Sequence, residues 1–90
     1  MTHSVQWDRR ALDALTAIWL DNPARRTAIN EAVVTTDRLL QIDPGTQGES
    51  RDGGRRVVFV SPLVVIFRAN DAKQEVRVVD VRNTKRRGTL

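Results

Sequence analysis

The 90-residue sequence lacks several of the side chains on which enzymes most often depend. It contains no cysteine and no tyrosine, and its single histidine is His3. The absence of cysteine excludes disulfides, thiolate zinc sites and iron–sulfur clusters. With one histidine, the chain is poorly equipped for a histidine-based metal site or a Ser-His-Asp triad. We therefore expect no metal and no cofactor.

Long apolar runs are also missing. No run approaches the roughly 20 residues that span a bilayer, and the beginning, MTHSVQWDRR, has no apolar stretch of signal-peptide length. These absences predict a soluble cytoplasmic protein with no membrane contact. The length suits one small domain, which we place at residues 1–83, followed by a basic tail at residues 84–90.

Positive charge is abundant, and it is unevenly distributed. The formal net charge is +4, and thirteen of the fifteen cations are arginine. Residues 46–90 hold ten cations against five acids, whereas residues 1–45 hold five against six. The planar guanidinium suits carboxylate and phosphate recognition. The second half is therefore either an anion-binding surface or the ordinary solubilising surface of a protein from a GC-rich genome.

Two helical periodicities follow a short strand pattern. Residues 2–7 alternate as in a half-buried strand, and apolar residues then recur at spacings of three and four over residues 9–21. Asp8 is the predicted N-cap of that helix. Asn22-Pro23 begins a second helix of about 20 residues, which ends at Asp43-Pro44-Gly45. The two form a helical hairpin.

Three strand patterns occupy the second half, after a loop at residues 43–54. RRVVFV and LVVIFRA are joined by a tight turn at Ser61-Pro62, and QEVRVVDVRN follows the turn NDAK. In this last strand, Val76 and Val78 share one face, and Val81 lies on the other with Arg77 and Val79. The predicted fold is α+β, in the order β-α-α-β-β-β, with the helical hairpin packed on a small antiparallel sheet.

The apolar positions of these patterns predict the core. It comprises Leu12, Leu15, Ile18, Trp19, Ile29, Val33, Leu40, Val58, Phe59, Val65, Phe67 and Val78. Trp7 and Trp19 could instead stack on nucleic-acid bases, but both occupy apolar periodic positions, which favours packing.

The arginine pair Arg55-Arg56 leaves the glycine-rich loop where a strand begins. Successive strand residues point to opposite faces, so one arginine lies on the rim of the helix-covered side and the other on the open face. In an antiparallel meander, the pair can cluster with Arg68 at one end of the sheet, while Arg82 and the tail begin at the other. The alternative is that each arginine pairs with a nearby acid, as Arg82 can with Asp80.

The basic tail Lys85-Arg86-Arg87 has two interpretations. It is an arm that contacts phosphate or an acidic partner, or it is a solvated terminus.

Several stretches resemble the RelE/ParE superfamily, the toxins of type II toxin–antitoxin systems. They are VQWDRRALDALTAIWLD, AVVTTDRLLQIDP, GESR, RRVVFVSPLVVIFRA and VRVVDVRN. The resemblance covers about residues 3–83 and rests on element order, loop placement and scattered positions. It implies a compact β-α-α-β-β-β domain with an antiparallel sheet, neutralised by a cognate antitoxin that wraps the toxin.

The resemblance implies two possible targets. RelE-like members cleave mRNA in the ribosome with basic residues of the last three strands and often a C-terminal tyrosine, whereas ParE-like members inhibit DNA gyrase. Here Arg55 or Arg56 matches the first basic position, Leu63 replaces the second, and the third falls near Arg82 to Arg86. No tyrosine is present. Whether the chain is an mRNA endoribonuclease is therefore left open.

RNA cleavage would also require a general base and a general acid. The candidates for those roles are Glu49, Asp80, His3 and Lys85.

We predict a growth-inhibiting toxin that acts by mRNA cleavage or on another target. The alternatives are a non-catalytic gyrase inhibitor and a nucleic-acid-binding module outside any toxin system. The candidate catalytic residues are Arg56, Arg82 and Lys85. The candidate anion- or nucleic-acid-binding residues are Arg51, Arg55, Arg56, Arg68, Arg82, Lys85, Arg86 and Arg87.

Overall fold

The computed structural model describes residues 3–42, 44–46, 48–50 and 52–84. Its elements are β1 (Ser4–Trp7), α1 (Arg9–Asp21), α2 (Arg26–Ile42), β2 (Glu49–Ser50), β3 (Arg56–Val60), β4 (Leu63–Asn70) and β5 (Glu75–Asn83). Short 3-10 turns lie at Pro23–Arg25, Pro44–Thr46 and Asp52–Gly54. The α+β class and the order β-α-α-β-β-β are confirmed, with β2 as a two-residue addition inside the predicted loop. Within these described ranges, neither helix has the length and apolar character needed to traverse a bilayer.

The five strands form one mixed sheet in the order β1-β5-β4-β3-β2. The meander from β3 to β5 is antiparallel, as predicted, and the unpredicted β2 pairs with β3 in the same way. In contrast, β1 pairs with β5 in parallel, from Ser4 opposite Glu75 to Trp7 opposite Val78. The prediction of a wholly antiparallel sheet was therefore wrong at this edge. Alternation of apolar residues reveals that β1 is a strand, but it carries no information about the neighbour or its direction.

The helical hairpin begins and turns close to the predicted positions. Asp8 precedes α1, but its side chain makes no capping bond and instead accepts a 2.7 Å hydrogen bond from Arg77. Asn22 ends α1, where its side-chain amide donates to the carbonyl of Ile18 at 2.7 Å. Pro23 then opens a 3-10 turn, so α2 starts at Arg26, three residues later than predicted.

A β-bulge in β5 changes which residues face the core. Ile66 pairs with Asp80 and Phe67 with Val78, so Val79 has no partner on β4. One extra residue reverses the alternation beyond it, and Val81 is buried together with Val78. The prediction that Val81 lies on the opposite face from Val78 was wrong for this reason.

The core lies between the helical hairpin and one face of the sheet. Of the predicted core residues, Ile29, Leu40, Val65, Phe67 and Val78 are fully buried. The structure adds Ala11, Ala32, Thr36, Leu63, Val76 and Val81.

Two predicted core residues are exposed. Leu12 is 46% exposed and Phe59 is 68% exposed. Phe59 lies next to the inward-facing Val58 and Val60, so strand alternation turns its ring away from the helices. Leu12 follows the buried Ala11 and lies at the edge of the apolar stripe of α1.

Gly48 fixes the approach of the loop to β3. Its φ of +69° is left-handed, and a Cβ there would overlap the carbonyl oxygen of Val57. Gly54 has a similar φ of +75°, but a Cβ there would meet nothing within 4 Å. Left-handed backbone alone costs an L-residue about 1–2 kcal/mol. We expect Gly54→Ala to lower the free energy of unfolding by about that amount, and Gly48→Ala by clearly more. Equal losses in chemical denaturation would show that the close approach at Gly48 is unimportant.

Candidate anion-binding face of the sheet

The face of the sheet opposite the helices carries both charge and apolar surface. In β4, Leu63, Val65 and Phe67 point into the core, so the intervening residues occupy this open face. The alternation and the strand register place Arg55, Val57 and Phe59 of the β3 segment on the same side. This face is the surface that the helical hairpin leaves uncovered.

Four arginines meet on this open face. Arg10, Arg55, Arg68 and Arg82 line one shallow cavity of about 160 Å³, together with Asp80 and the apolar side chains of Ile66 and Val79. We call these four residues the arginine cluster. Arg10 lies on α1, Arg68 on β4 and Arg82 on β5, and Arg55 directly precedes β3. Only the tertiary structure brings the four together.

Asp80 is the acid in the wall of this cavity. Its Oδ2 lies 3.6 Å from Nε of Arg82 and 3.9 Å from Nη2 of Arg10. Its Oδ1 accepts a 2.9 Å hydrogen bond from the backbone N–H of Val81. The Asp80 side chain is only 16% exposed, in contrast to the 78% of Arg10. Asp80 is therefore a well-held counter-ion for two of the four arginines.

Arg55 and Arg68 have a different status. Both are exposed, and neither forms an ion pair with any residue that the structure describes. Asp71 is an acid close to Arg68 along the chain, but it lies 3.3 Å from Nε2 of His3 and forms no ion pair with Arg68. Guanidinium groups without a counter-ion remain available to an external anion.

The backbone of Arg82 lies towards the opposite end of the sheet from Arg55 and Arg68, as predicted. Its side chain nevertheless lines the same cavity, which the sequence did not predict. Arg82 pairs with Val64 in the sheet, four residues before Arg68 along β4. Its long side chain covers part of that gap, and the contact with Asp80 holds the guanidinium at the cavity.

Arg10 was missed by sequence reasoning. It belongs to the less basic half of the chain and directly precedes the buried Ala11 on α1. No local pattern distinguishes it from Arg9, its neighbour, which is also exposed. Only the packing of α1 beside β5 brings Arg10 to Asp80.

Arg56, the second member of the arginine pair, has another environment. It donates to the carbonyl of Gly48 at 3.1 Å and to Oγ of Ser50 at 3.2 Å. Arg56 is half-buried and pairs with Phe67, an inward-facing residue of β4. The structure therefore separates the pair, as predicted from strand alternation. Arg55 joins the cluster, and Arg56 ties the β2 segment to the sheet.

The remaining candidates lie away from the cluster or outside the described residues. Arg51, Lys85, Arg86 and Arg87 belong to the latter group. His3 sits beside Asp71, and Trp7 packs against the core with Nε1 donating to Asp37 at 2.9 Å. In the described part of the chain, no three acidic or histidine side chains are grouped as a metal site would require.

Trp19 is only half-buried, on the helical hairpin. Its Nε1 donates to Oδ1 of Asn30 at 3.1 Å, and the guanidinium of Arg26 lies 3.9 Å from its ring centroid. Trp19 therefore links the two helices, a structural role in line with the packing interpretation.

An apolar patch adjoins the arginine cluster. It consists of Val57, Phe59, Val64 and Ile66, and Phe59 is its most exposed member. Phe59 lies opposite Val64, which in turn lies opposite Arg82. A partner that covers this face therefore meets apolar side chains next to guanidinium groups, two of which form no ion pair with the part of the chain that the structure describes.

Comparison with known proteins gives matches only at the level of structure. No protein-family model matches the chain, and no curated protein matches it. A chain of the chromosomal ParDE TA system from P. aeruginosa is 22% identical and superposes with a TM-score of 0.76, covering 92% of this chain and 97% of that one.

Two further solved structures superpose on this chain over almost its whole length. A chain of the toxin–antitoxin complex RelBE2 from Mycobacterium tuberculosis is 21% identical, with a TM-score of 0.72 over 92% of this chain and 99% of that one. A chain of the archaeal RelE-RelB complex from Pyrococcus horikoshii OT3 is 14% identical, with a TM-score of 0.64 over 97% of this chain and 100% of that one. The two helices and five-stranded sheet described above are the RelE/ParE fold.

Proposed function

We propose that this chain is a RelE/ParE-like toxin of a type II toxin–antitoxin module, acting in the cytoplasm and neutralised by a cognate antitoxin. The shared fold with chains of ParDE and RelBE complexes supports this function. The observation that carries the proposal is the arginine cluster on the uncovered face of the sheet. Four guanidinium groups against one carboxylate leave this small surface with a formal charge of +3.

The cluster suits an anionic partner. Arg55 and Arg68 present forked donors that match a carboxylate or a phosphate in two hydrogen bonds. The adjoining apolar patch, with Phe59 exposed, can bury apolar side chains of the same partner. An acidic and apolar antitoxin segment would satisfy both halves of this surface, and so would the protein target that the antitoxin displaces.

Binding is better supported than chemistry at this cluster. Cleavage of RNA at a 2′-OH needs a base, an acid and cations for the charge that develops on phosphorus. The arginines provide the cations. Asp80, the carboxylate at hand, already receives the Val81 N–H and contacts two arginines. We therefore place inhibition by binding a macromolecular target, as in the gyrase-inhibiting branch, ahead of mRNA cleavage.

Cleavage of mRNA is the second candidate. It is favoured by Arg55 and Arg82, which line the same cavity. Arg55 is one of the two residues that fit the first basic position of the RelE-like branch, and Arg82 lies in the range where the third falls. Arg56 is less suited to act on RNA, because its guanidinium contacts Gly48 and Ser50 instead of lining the cavity.

Induction of the full chain in a bacterial host tests this function. We expect growth arrest, restored growth when a cognate antitoxin is co-expressed, inhibition of gyrase supercoiling by the purified chain, and intact ribosome-bound mRNA. Cleaved mRNA with normal supercoiling would reverse the order of the two candidates. Normal growth, together with tight binding of nucleic acid, would overturn the toxin proposal in favour of a nucleic-acid-binding module.

A further inference from the structure

Asp80 has a role in the cluster that the proposed function does not require. A surface built only to attract anions would gain nothing from a carboxylate in its wall. Asp80 is nevertheless held there by three contacts, two from arginines and one from the backbone N–H of Val81. Its low exposure shows that the side chain is packed in the wall of the cavity and does not extend into solvent.

The bulge in β5 is what places Asp80 there. Val79 is the unpaired residue of the bulge, and Asp80 follows it directly opposite Ile66. Both Ile66 and Val79 line the same cavity. Without the extra residue, simple alternation would put residues 79 and 81 on the open face and turn residue 80 towards the core. The bulge thus places the Asp80 carboxylate among the four arginines of the cluster.

We propose that Asp80 is a specificity-determining residue that restricts the arginine cluster to two available cations. Its carboxylate contacts both Arg10 and Arg82 and offsets one of their two positive charges. It leaves Arg55 and Arg68, which form no ion pair among the described residues, to hold the partner. An extended polyanion, which needs several unpaired cations in a row, is thereby disfavoured relative to a partner with one well-placed oxyanion and apolar side chains. The inference rests on the proposed function only in taking the cluster as the binding surface.

The magnitude follows from counterion release. A single-stranded nucleic acid releases about 0.7 of a counterion for each phosphate that a protein cation neutralises, which corresponds to about fivefold in affinity at about 0.1 M salt. An arginine that is already paired with Asp80 contributes little of this gain. Freeing Arg10, Arg82 or both should therefore tighten binding by about 5- to 25-fold and steepen the salt dependence by about 0.7–1.4 in log–log slope.

The substitution Asp80→Asn isolates the charge. Asparagine has the same shape and keeps an oxygen that can accept the Val81 N–H, so the bulge retains its hydrogen bond. The matched control is Glu31→Gln, because Glu31 is an exposed acid on α2, on the helical side of the sheet. Both variants raise the net charge of the chain by one, but only the first does so within the cluster.

The experiment measures binding of a fluorescein-labelled oligothymidylate to the purified full chain over a range of salt concentrations. We expect weak binding by the wild type and by Glu31→Gln, and the tighter, steeper binding calculated above for Asp80→Asn. If the two variants bound the oligonucleotide with the same affinity and salt dependence, the effect would come from the overall charge of the chain, and the proposal would be overturned. Weaker binding by Asp80→Asn would show that Asp80 positions the arginines for nucleic acid, which also overturns it, as would undetectable binding by every variant.

A second pair of variants leaves Asp80 in place, in case Asp80→Asn does not fold. Arg68→Gln removes a free cation and should weaken oligothymidylate binding about fivefold, whereas Arg10→Gln removes a paired one and should change it less than about twofold. Equal losses would contradict the division of the cluster. Growth arrest is scored separately, so a chain that arrests growth but shows no difference between these variants refutes only the inference about Asp80.

Discussion

Replacing Phe67 by alanine is expected to remove about 3–5 kcal/mol from the free energy of unfolding. Phe67 is fully buried at the centre of the sheet, on β4, where the helical hairpin covers it. Truncation would leave a cavity that the surrounding β-strands cannot close, because strand pairing holds them in place on both sides. Since small domains are stable by only about 5–15 kcal/mol, this single change should unfold a large part of the population at moderate denaturant concentrations.

Phe59→Ala is the matched control for that measurement. It removes the same atoms from the next strand, but its side chain lies on the open face. We expect a loss within about 0.5 kcal/mol, the usual range for surface positions. Chemical denaturation of both variants by far-UV circular dichroism measures the difference. Similar losses for the two would mean that the open face is covered in the free chain.

Replacing Arg55 and Arg68 together by glutamine should abolish growth arrest. These are the two arginines of the cluster that lack an ion pair among the described residues, so they are the ones that an anionic partner can bind without displacing Asp80. Loss of two phosphate contacts would lower affinity for oligothymidylate by about 25-fold at about 0.1 M salt and flatten the salt slope by roughly one to two units. The fold should persist, because both side chains are exposed.

The control for this pair removes the same amount of charge elsewhere. Arg25 and Arg38 are exposed on the helical hairpin, away from the cavity. The double variant Arg25→Gln/Arg38→Gln should remain as toxic as the wild type. If a folded Arg55→Gln/Arg68→Gln chain arrested growth as well as the control, the arginine cluster would not be the surface that meets the target.

The apolar patch gives the same experiments a further use. Phe59→Ala is expected to leave stability almost unchanged, so any loss of toxicity or of antitoxin binding in that variant reports on contact with a partner. Exposed aromatic side chains beside arginines are typical anchors of protein interfaces. The same variant therefore serves both as the control for the stability measurement and as a test of the binding surface.

Much of the fold could be predicted because it depends on local periodicity. The apolar spacing of α1, the Ser61-Pro62 turn and the β-branched runs around Val58, Val65 and Val78 act within a few residues of each other along the chain. A one-residue slip in strand pairing would turn every apolar side chain of the inner face towards solvent. The apolar pattern therefore selects the register in which a residue such as Phe67 is buried. These features are determined by the sequence alone.

Other features depend on contacts between distant parts of the chain, and no local pattern contains them. The parallel neighbour of β1 is one, because alternation does not identify a partner strand. The exposure of Phe59 is another, because apolar residues on both faces of β3 look alike until the helices cover one of them.

The candidate site also combines features that the sequence determines with features that only the tertiary structure determines. The sequence by itself determined that positive charge is concentrated in the second half of the chain and that Arg55 and Arg56 point to opposite faces at the start of a strand. Only the tertiary structure decided which of the two joins a site, because Arg10 of α1 and Asp80 after the bulge become neighbours only when α1 packs beside β5. A bulge shifts every later side chain by one position, and it is a bulge that converts Asp80 from an alternating strand residue into the counter-ion of the arginine cluster.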